Sequence, residues 1–93
     1  MDLLPAYLKR RNEDVELLRN WIVQKDFESI RRLGHKLSGN GTMYGLDWIS
    51  KTGKDLEASA IDKDLPEIET QTQNLFNFLS TLEVFPKEKN EIT

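Results

Sequence analysis

The sequence predicts an all-α protein, an up-down-up-down antiparallel four-helix bundle. Four segments carry hydrophobic residues every three or four positions, which is helical periodicity, and none shows the alternation of a β-strand. Only a few residues separate these segments, so consecutive helices are expected to run antiparallel. At 93 residues the chain makes one domain. We assign residues 1–85 to the bundle and expect the tail 86–93, which has little to bury, to fray.

The first helix is predicted to end near Gln24, and Pro5 is tolerated in its first turn. Its charged side chains are expected to face largely away from the core, and they include Lys9, Arg10, Arg11, Glu13 and Glu16. The core is expected to receive one apolar stripe, formed by Leu4, Leu8, Val15, Leu18 and Ile22.

The second helix is predicted to begin after an N-cap at Asp26 and to be closed by Gly45. Its apolar stripe comprises Phe27, Ile30, either Leu33 or Gly34, Leu37, Gly41 and Tyr44. Gly34 and Gly41 face inward in this arrangement, where the absence of a side chain permits close helix packing.

The third helix is expected to bury Leu46, Ile49, Leu56 and Ala60, with Gly53 at a close contact between helices. The fourth is predicted to begin after Asp64, which can cap it, with Pro66 in the first turn and Glu67 completing a capping box. Its stripe comprises Leu65, Ile68, Leu75, either Phe78 or Leu79, and Leu82. The tryptophans and phenylalanines are interpreted as core or rim residues.

Composition excludes several classes of function. The net charge of -3 and the pI of about 5.1 give no electrostatic reason to expect nucleic-acid binding. Cysteine is absent, which excludes disulfides and thiolate chemistry and fits a reducing cytosol. No apolar run approaches the ~18 residues of a membrane span, and the chain does not begin like a signal peptide. We therefore expect a cytoplasmic protein.

His35 is the only histidine in the chain and lies in the predicted second helix. At about 100° per residue, it points away from the apolar stripe of that helix and therefore towards solvent or a partner. Its helical neighbours are Arg31 and Arg32 one turn before it, Lys36 next to it, Ser38 and Gly39 one turn after it, and Thr42 about two turns after it.

Gly39 is the unusual neighbour, because a glycine inside a helix costs about 1 kcal/mol relative to alanine. Gly39 lies on the outer side of the helix, so core packing does not explain it, whereas steric access to His35 does. A neutral, exposed imidazole is a good nucleophile. The cations around it can neutralise part of the charge on a phosphoryl group. The residues alone therefore fit two interpretations, a phosphoryl carrier and an ordinary surface histidine without a chemical role.

The run from His35 to Gly45 resembles the signature of histidine phosphotransfer (HPt) domains. In that family leucine follows the histidine two residues on, and glycine follows it four and ten residues on; Leu37, Gly39 and Gly45 match. The resemblance spans roughly residues 3–83, because residues 4–8, 10–11, 26–32 and 56–57 are similar to one bacterial branch of the family. The chain departs at Ser38, where many members carry lysine.

The resemblance implies a module that is not itself a kinase. His35 would be the phosphoacceptor, taking a phosphoryl group from the aspartyl phosphate of a receiver domain, for example in a hybrid sensor kinase, and passing it to another receiver. It would hold no cofactor of its own, since the receiver brings Mg²⁺. A monomer that binds neither nucleic acid nor membrane is expected. The residues expected to position the phosphoryl group or the partner are Arg31, Arg32, Lys36, Ser38, Gly39 and Thr42.

Three other interpretations are open on the sequence. A helical adaptor would bind a receiver or another signalling partner without chemistry, and Ser38 favours it. A fragment of a larger hybrid kinase would carry out the same chemistry. A histidine-based hydrolase is disfavoured, because the sequence places neither a nucleophile nor an orienting carboxylate beside His35 and indicates no pocket.

Overall fold

Four α-helices form the structure, a computed structural model that describes the backbone of residues 3–92 and the side chains of residues 5–81. They are α1 (Leu3–Gln24), α2 (Phe27–Met43), α3 (Asp47–Ile61) and α4 (Leu65–Ile92). Residues 3–92 contain no strand. The predicted antiparallel bundle is confirmed. α4 runs through part of the tail 86–93, whose side chains lie outside the described residues, so fraying there stays a prediction.

The core draws on all four helices, as the apolar stripes predict, but the expected burial of Tyr44 is wrong, because this residue lies exposed at the C-cap of α2. Its largest fully buried side chains are Val15 and Leu18 of α1, Ile30 and Leu37 of α2, Ile49 and Leu56 of α3, and Ile68, Leu75 and Leu79 of α4. Around them lie the partly buried side chains of Leu8, Trp21, Ile22, Phe27, Leu46, Trp48 and Phe78. The predicted core positions Leu4 and Leu82 lie outside the described side chains.

The three connections between helices share one hydrogen-bonding pattern, the Schellman motif. After α2, Gly45 has φ +73°, its N–H donates to Thr42 O at 3.0 Å, and Leu46 N–H donates to Gly41 O at 2.8 Å. The predicted closure of this helix by glycine is therefore confirmed. Lys25 and Lys63 occupy the same left-handed position after α1 and α3, with φ 58° and 57°. These short turns fix the antiparallel order.

Both predicted N-caps form, but the capping box predicted at the second has only one of its two hydrogen bonds. Asp26 accepts hydrogen bonds from the backbone N–H and the hydroxyl of Ser29, at 3.2 and 2.7 Å. Asp64 likewise accepts from Glu67 N–H at 3.2 Å. The predicted return bond from Glu67 is wrong: Asp64 N–H donates instead to Ser59 O at 2.9 Å in the turn, and Glu67 accepts from Gln71 at 2.7 Å. The turn has already satisfied that N–H.

One predicted surface residue is buried. Arg11 is 3% exposed, and its Nε lies 2.7 Å from Oδ2 of Asp14, which is 7% exposed. The guanidinium also lies over the ring of Tyr7, 4.7 Å from its centroid. The predicted apolar stripe of α1 has six residues between Leu8 and Val15, and Arg11 fills this gap. The expectation that Arg11 faces away from the core is therefore wrong, because its charge is compensated inside the bundle.

Close backbone approach between α2 and α3 depends on three glycines. A Cβ built on Gly34 would lie 2.7 Å from Glu57 N, and one built on Gly41 would lie 2.6 Å from Ser50 N. A Cβ on Gly53 would lie 2.5 Å from Ser38 N and 2.6 Å from Gly34 O. These neighbours are backbone atoms that cannot move aside alone. The predicted packing roles of the three glycines are confirmed.

We expect Gly53→Ala to lower the free energy of unfolding by about 1–3 kcal/mol, because α2 and α3 must separate to admit the methyl group. The matched control is Gly39→Ala, whose Cβ would meet nothing within 4 Å. Its better helix propensity should raise stability by up to about 1 kcal/mol. Urea unfolding of both variants checks this; the same sign for the two would refute the assigned packing.

Candidate functional site

His35 lies in the middle of α2 with 74% of its side chain exposed. Leu37, two residues along the same helix, is fully buried, so the two side chains point to opposite sides. The predicted outward orientation of the ring is confirmed. Both a solvent molecule and a partner protein can reach the imidazole.

A carboxylate from the next helix holds one nitrogen of that ring. Glu57 of α3 places Oε2 3.2 Å and Oε1 3.4 Å from His35 Nδ1. The Glu57 side chain is 26% exposed. Its backbone N would be 2.7 Å from a Cβ on Gly34, the residue before His35. The close α2–α3 contact thus brings Glu57 within hydrogen-bond reach.

This contact corrects the expectation that no orienting carboxylate stands beside His35. A carboxylate accepts but does not donate, so Nδ1 carries the proton of the neutral ring and Nε2 carries the lone pair. Within residues 5–81 no hydrogen bond to Nε2 is found. The arrangement presents Nε2 as the free nucleophilic nitrogen.

Gly39 leaves open space one turn after His35. A Cβ at this position would have no heavy atom within 4 Å, unlike those of Gly34, Gly41 and Gly53. Packing within this chain therefore does not require glycine here. A larger side chain would stand on the same exposed face as the imidazole, in the path of an approaching protein.

The two arginines one turn before His35 are both tied to Glu28, a residue that the sequence analysis did not select. Glu28 accepts from Arg31 Nη2 at 2.6 Å and from Arg32 Nε at 3.1 Å. The hydrogen bond from Arg31, with that from Arg32, lowers the pKa of Glu28 to about 2. Glu28 is therefore ionised at neutral pH, and the arginines are partly neutralised.

The other polar neighbours of His35 already have partners or point elsewhere. Ser38 donates its hydroxyl hydrogen to the backbone O of His35 at 2.7 Å, and Thr42 Oγ1 lies 2.9 Å from Ser50 Oγ on α3. Lys36 lies towards α1, where it lines a groove of about 330 Å³ with Asp14. Ser38, Thr42 and Lys36 therefore do not form one cluster around the imidazole, and their positioning roles stay predictions.

The described residues offer neither a metal-ion site nor a membrane span. Those residues contain no group of three or more His, Cys, Asp or Glu side chains placed to hold a metal ion. None of the described helices combines the length and the apolar character that crossing a bilayer requires.

The fold and the site define a four-helix bundle that displays one accessible histidine. The family profile described as Hpt domain matches residues 2–83, which is most of the chain. The protein belongs to the Hpt domain family, whose members carry out histidine phosphotransfer in phosphorelays and interact with response-regulator receiver domains. Comparisons with curated proteins and with solved structures find no significant match.

Proposed function

We propose that this protein carries a phosphoryl group on His35 between two receiver domains. The group arrives from the aspartyl phosphate of one receiver, for example in a hybrid sensor kinase, and leaves to the aspartate of another. The observation that carries this proposal is the contact between Glu57 and Nδ1, which leaves Nε2 free on an exposed helix face. Membership of the family supports the same chemistry.

The transfer is a displacement at phosphorus. The Nε2 lone pair forms the new N–P bond while the bond from phosphorus to the aspartate oxygen breaks, and the receiver recovers a free carboxylate. The attack puts positive charge on the imidazole ring. Glu57, which accepts the Nδ1 hydrogen bond, stabilises that charge and keeps the ring oriented. Attack by the next receiver's carboxylate reverses these steps.

Magnesium and acidic groups are assigned to the receivers in this proposal, and the protein is assigned no cofactor of its own. Arg31 and Arg32 supply positive charge near the moving oxygens, and Lys36, which lies towards α1, adds to the positive charge of the helix from farther away. We further propose that the protein acts as a cytoplasmic monomer whose partners are receivers rather than nucleic acid or membrane.

Transfer from a radiolabelled phosphorylated receiver tests this function. We expect the purified chain to gain label that acid removes and alkali preserves, as a phosphorus–nitrogen bond requires, and to lose it when a second receiver is added. Binding of the receiver without any label would instead support the helical adaptor. The adaptor interpretation is supported by Ser38, which donates a hydrogen bond to the His35 backbone and supplies no positive charge where many family members carry lysine.

The hydrolase interpretation gains a carboxylate from the structure, but the hydrogen bonds of residues 5–81 place no hydroxyl nucleophile on the ring of His35. Ser38 is the nearest hydroxyl along the helix, and its hydrogen bond goes to the backbone O of His35 rather than to the ring. A hydrolytic triad needs the hydroxyl within hydrogen-bond reach of the imidazole nitrogen. The geometry therefore favours a phosphoryl carrier.

We expect Gly39→Leu to slow phosphoryl transfer from a receiver by at least about tenfold, because a bulky side chain would stand beside His35 at the docking face. Leucine is a good helix former, so helix content should not fall. Gly39→Ala is the control and should transfer at close to the wild-type rate. Stopped-flow or gel assays measure the rates; a normal rate for Gly39→Leu would refute the access role of Gly39.

A further inference from the structure

Glu28 lies at the centre of a small charge cluster on the same exposed helix as His35. Arg31 contacts it through Nη2 at 2.6 Å and through Nε at 3.1 Å, and Arg32 contacts it through Nε at 3.1 Å. The side chains are 54% exposed for Glu28, 37% for Arg31 and 73% for Arg32. One carboxylate thus occupies two guanidinium groups at the surface.

The same two arginines are the cations nearest to His35 along the preceding turn. Arg31 and Arg32 precede His35 by four and three residues, which places them beside it on the helix surface. The hydrogen bonds that Arg31 donates to Glu28 raise the pKa of Arg31, and the negative charge of Glu57 raises it further. Arg31 follows Glu28 by three residues and precedes His35 by four, so it lies between them on the surface of α2.

We propose that Glu28 is a positioning residue that holds Arg31 and Arg32 in the unphosphorylated protein and yields them to a phosphoryl group on His35. This inference rests on the proposed function, since it requires a phosphoryl group at that histidine. Exposed ion pairs are weak because water screens them. A phosphoryl group carries up to about two negative charges and three acceptor oxygens, so it outcompetes one carboxylate for the two guanidinium groups.

This competition predicts whether a substitution of Glu28 strengthens or weakens the interaction of the arginines with the phosphoryl group. Removing the Glu28 charge frees both arginines before the phosphoryl group arrives. In Glu28→Gln the arginines should therefore interact more strongly with a phosphoryl group on His35 than they do in the wild type. The effect should depend on the arginines. A direct effect of charge through space would persist without them, so a double-mutant cycle separates the two explanations.

The experiment uses the full chain loaded with phosphoramidate, which needs no receiver: the imidazole nitrogen attacks phosphorus, the old N–P bond breaks and ammonia leaves. Phosphorus NMR then follows the pH titration of the bound phosphoryl group. In Glu28→Gln we expect its acid dissociation constant to rise about two- to tenfold, because freed arginines favour the dianion. Glu16→Gln, which removes the same charge from an exposed position on α1, is the matched control and should have no effect.

The decisive comparison repeats Glu28→Gln in the Arg31→Gln/Arg32→Gln background, where we expect most of its effect to disappear. An equal effect in both backgrounds, or none in either, overturns the inference. The inference is also overturned if the chain takes up no phosphoryl group from phosphoramidate. A chain that loads and shows the arginine-dependent shift, yet accepts nothing from any receiver, supports the role of Glu28 and refutes only the proposed relay function.

Discussion

His35→Gln is expected to gain no acid-labile label from a phosphorylated receiver. Glutamine keeps the polarity of the exposed site but has no nitrogen lone pair able to attack phosphorus. The chain contains no other histidine, so no second imidazole can substitute. Gel autoradiography before and after acid treatment measures the loss, which should be complete rather than partial.

The variant should otherwise behave as the wild type does. The His35 side chain is 74% exposed, so its replacement should change the melting temperature little. Receiver binding should persist, which separates lost chemistry from lost docking. Acid-labile label that remained in His35→Gln would contradict the assignment of His35 as acceptor. Acid-stable label in the wild type would point instead to a hydroxyl such as that of Ser38.

The fold was predictable because helical periodicity and end signals agree along the chain. Asp26 and Gly45 mark the ends of α2 by local hydrogen bonding, which depends on few residues and little on the rest of the structure. The burial of Arg11 was not predictable in this way. It depends on Asp14 and Tyr7 together enclosing the guanidinium, an arrangement that a stripe of apolar residues does not encode.

The outward orientation of His35 could be predicted from the helical periodicity of α2 alone, whereas its contact with Glu57 could not. Glu57 reaches His35 from 22 residues away in sequence, so the contact depends on how α2 and α3 are aligned. Gly34 and Gly53 were the available signal, since they indicate a close contact between these two helices. Glu28 could have been found more directly, because it precedes Arg31 by three residues and Arg32 by four.

Leu37→Ala is expected to lower the free energy of unfolding by about 2–5 kcal/mol. Leu37 is fully buried, and its Cβ lies 2.8 Å from where a Cβ on Gly53 would be, at the closest part of the α2–α3 contact. Backbone atoms already touch here, so the helices cannot close further to fill the space that the side chain leaves. The loss of stability should therefore include most of the free-energy penalty of an unfilled cavity as well as the lost hydrophobic burial.

A domain of this size should lose on the order of 10 °C or more in melting temperature from such a change. Ile61→Ala is the matched control, because it removes the same number of carbon atoms from a side chain that is 62% exposed at the end of α3. Circular dichroism of the three proteins checks the prediction. Where Leu37→Ala is still folded, it should accept a phosphoryl group, since His35 points the other way. Equal melting temperatures for Leu37→Ala and wild type would mean that the buried and exposed faces of α2 had been assigned in reverse.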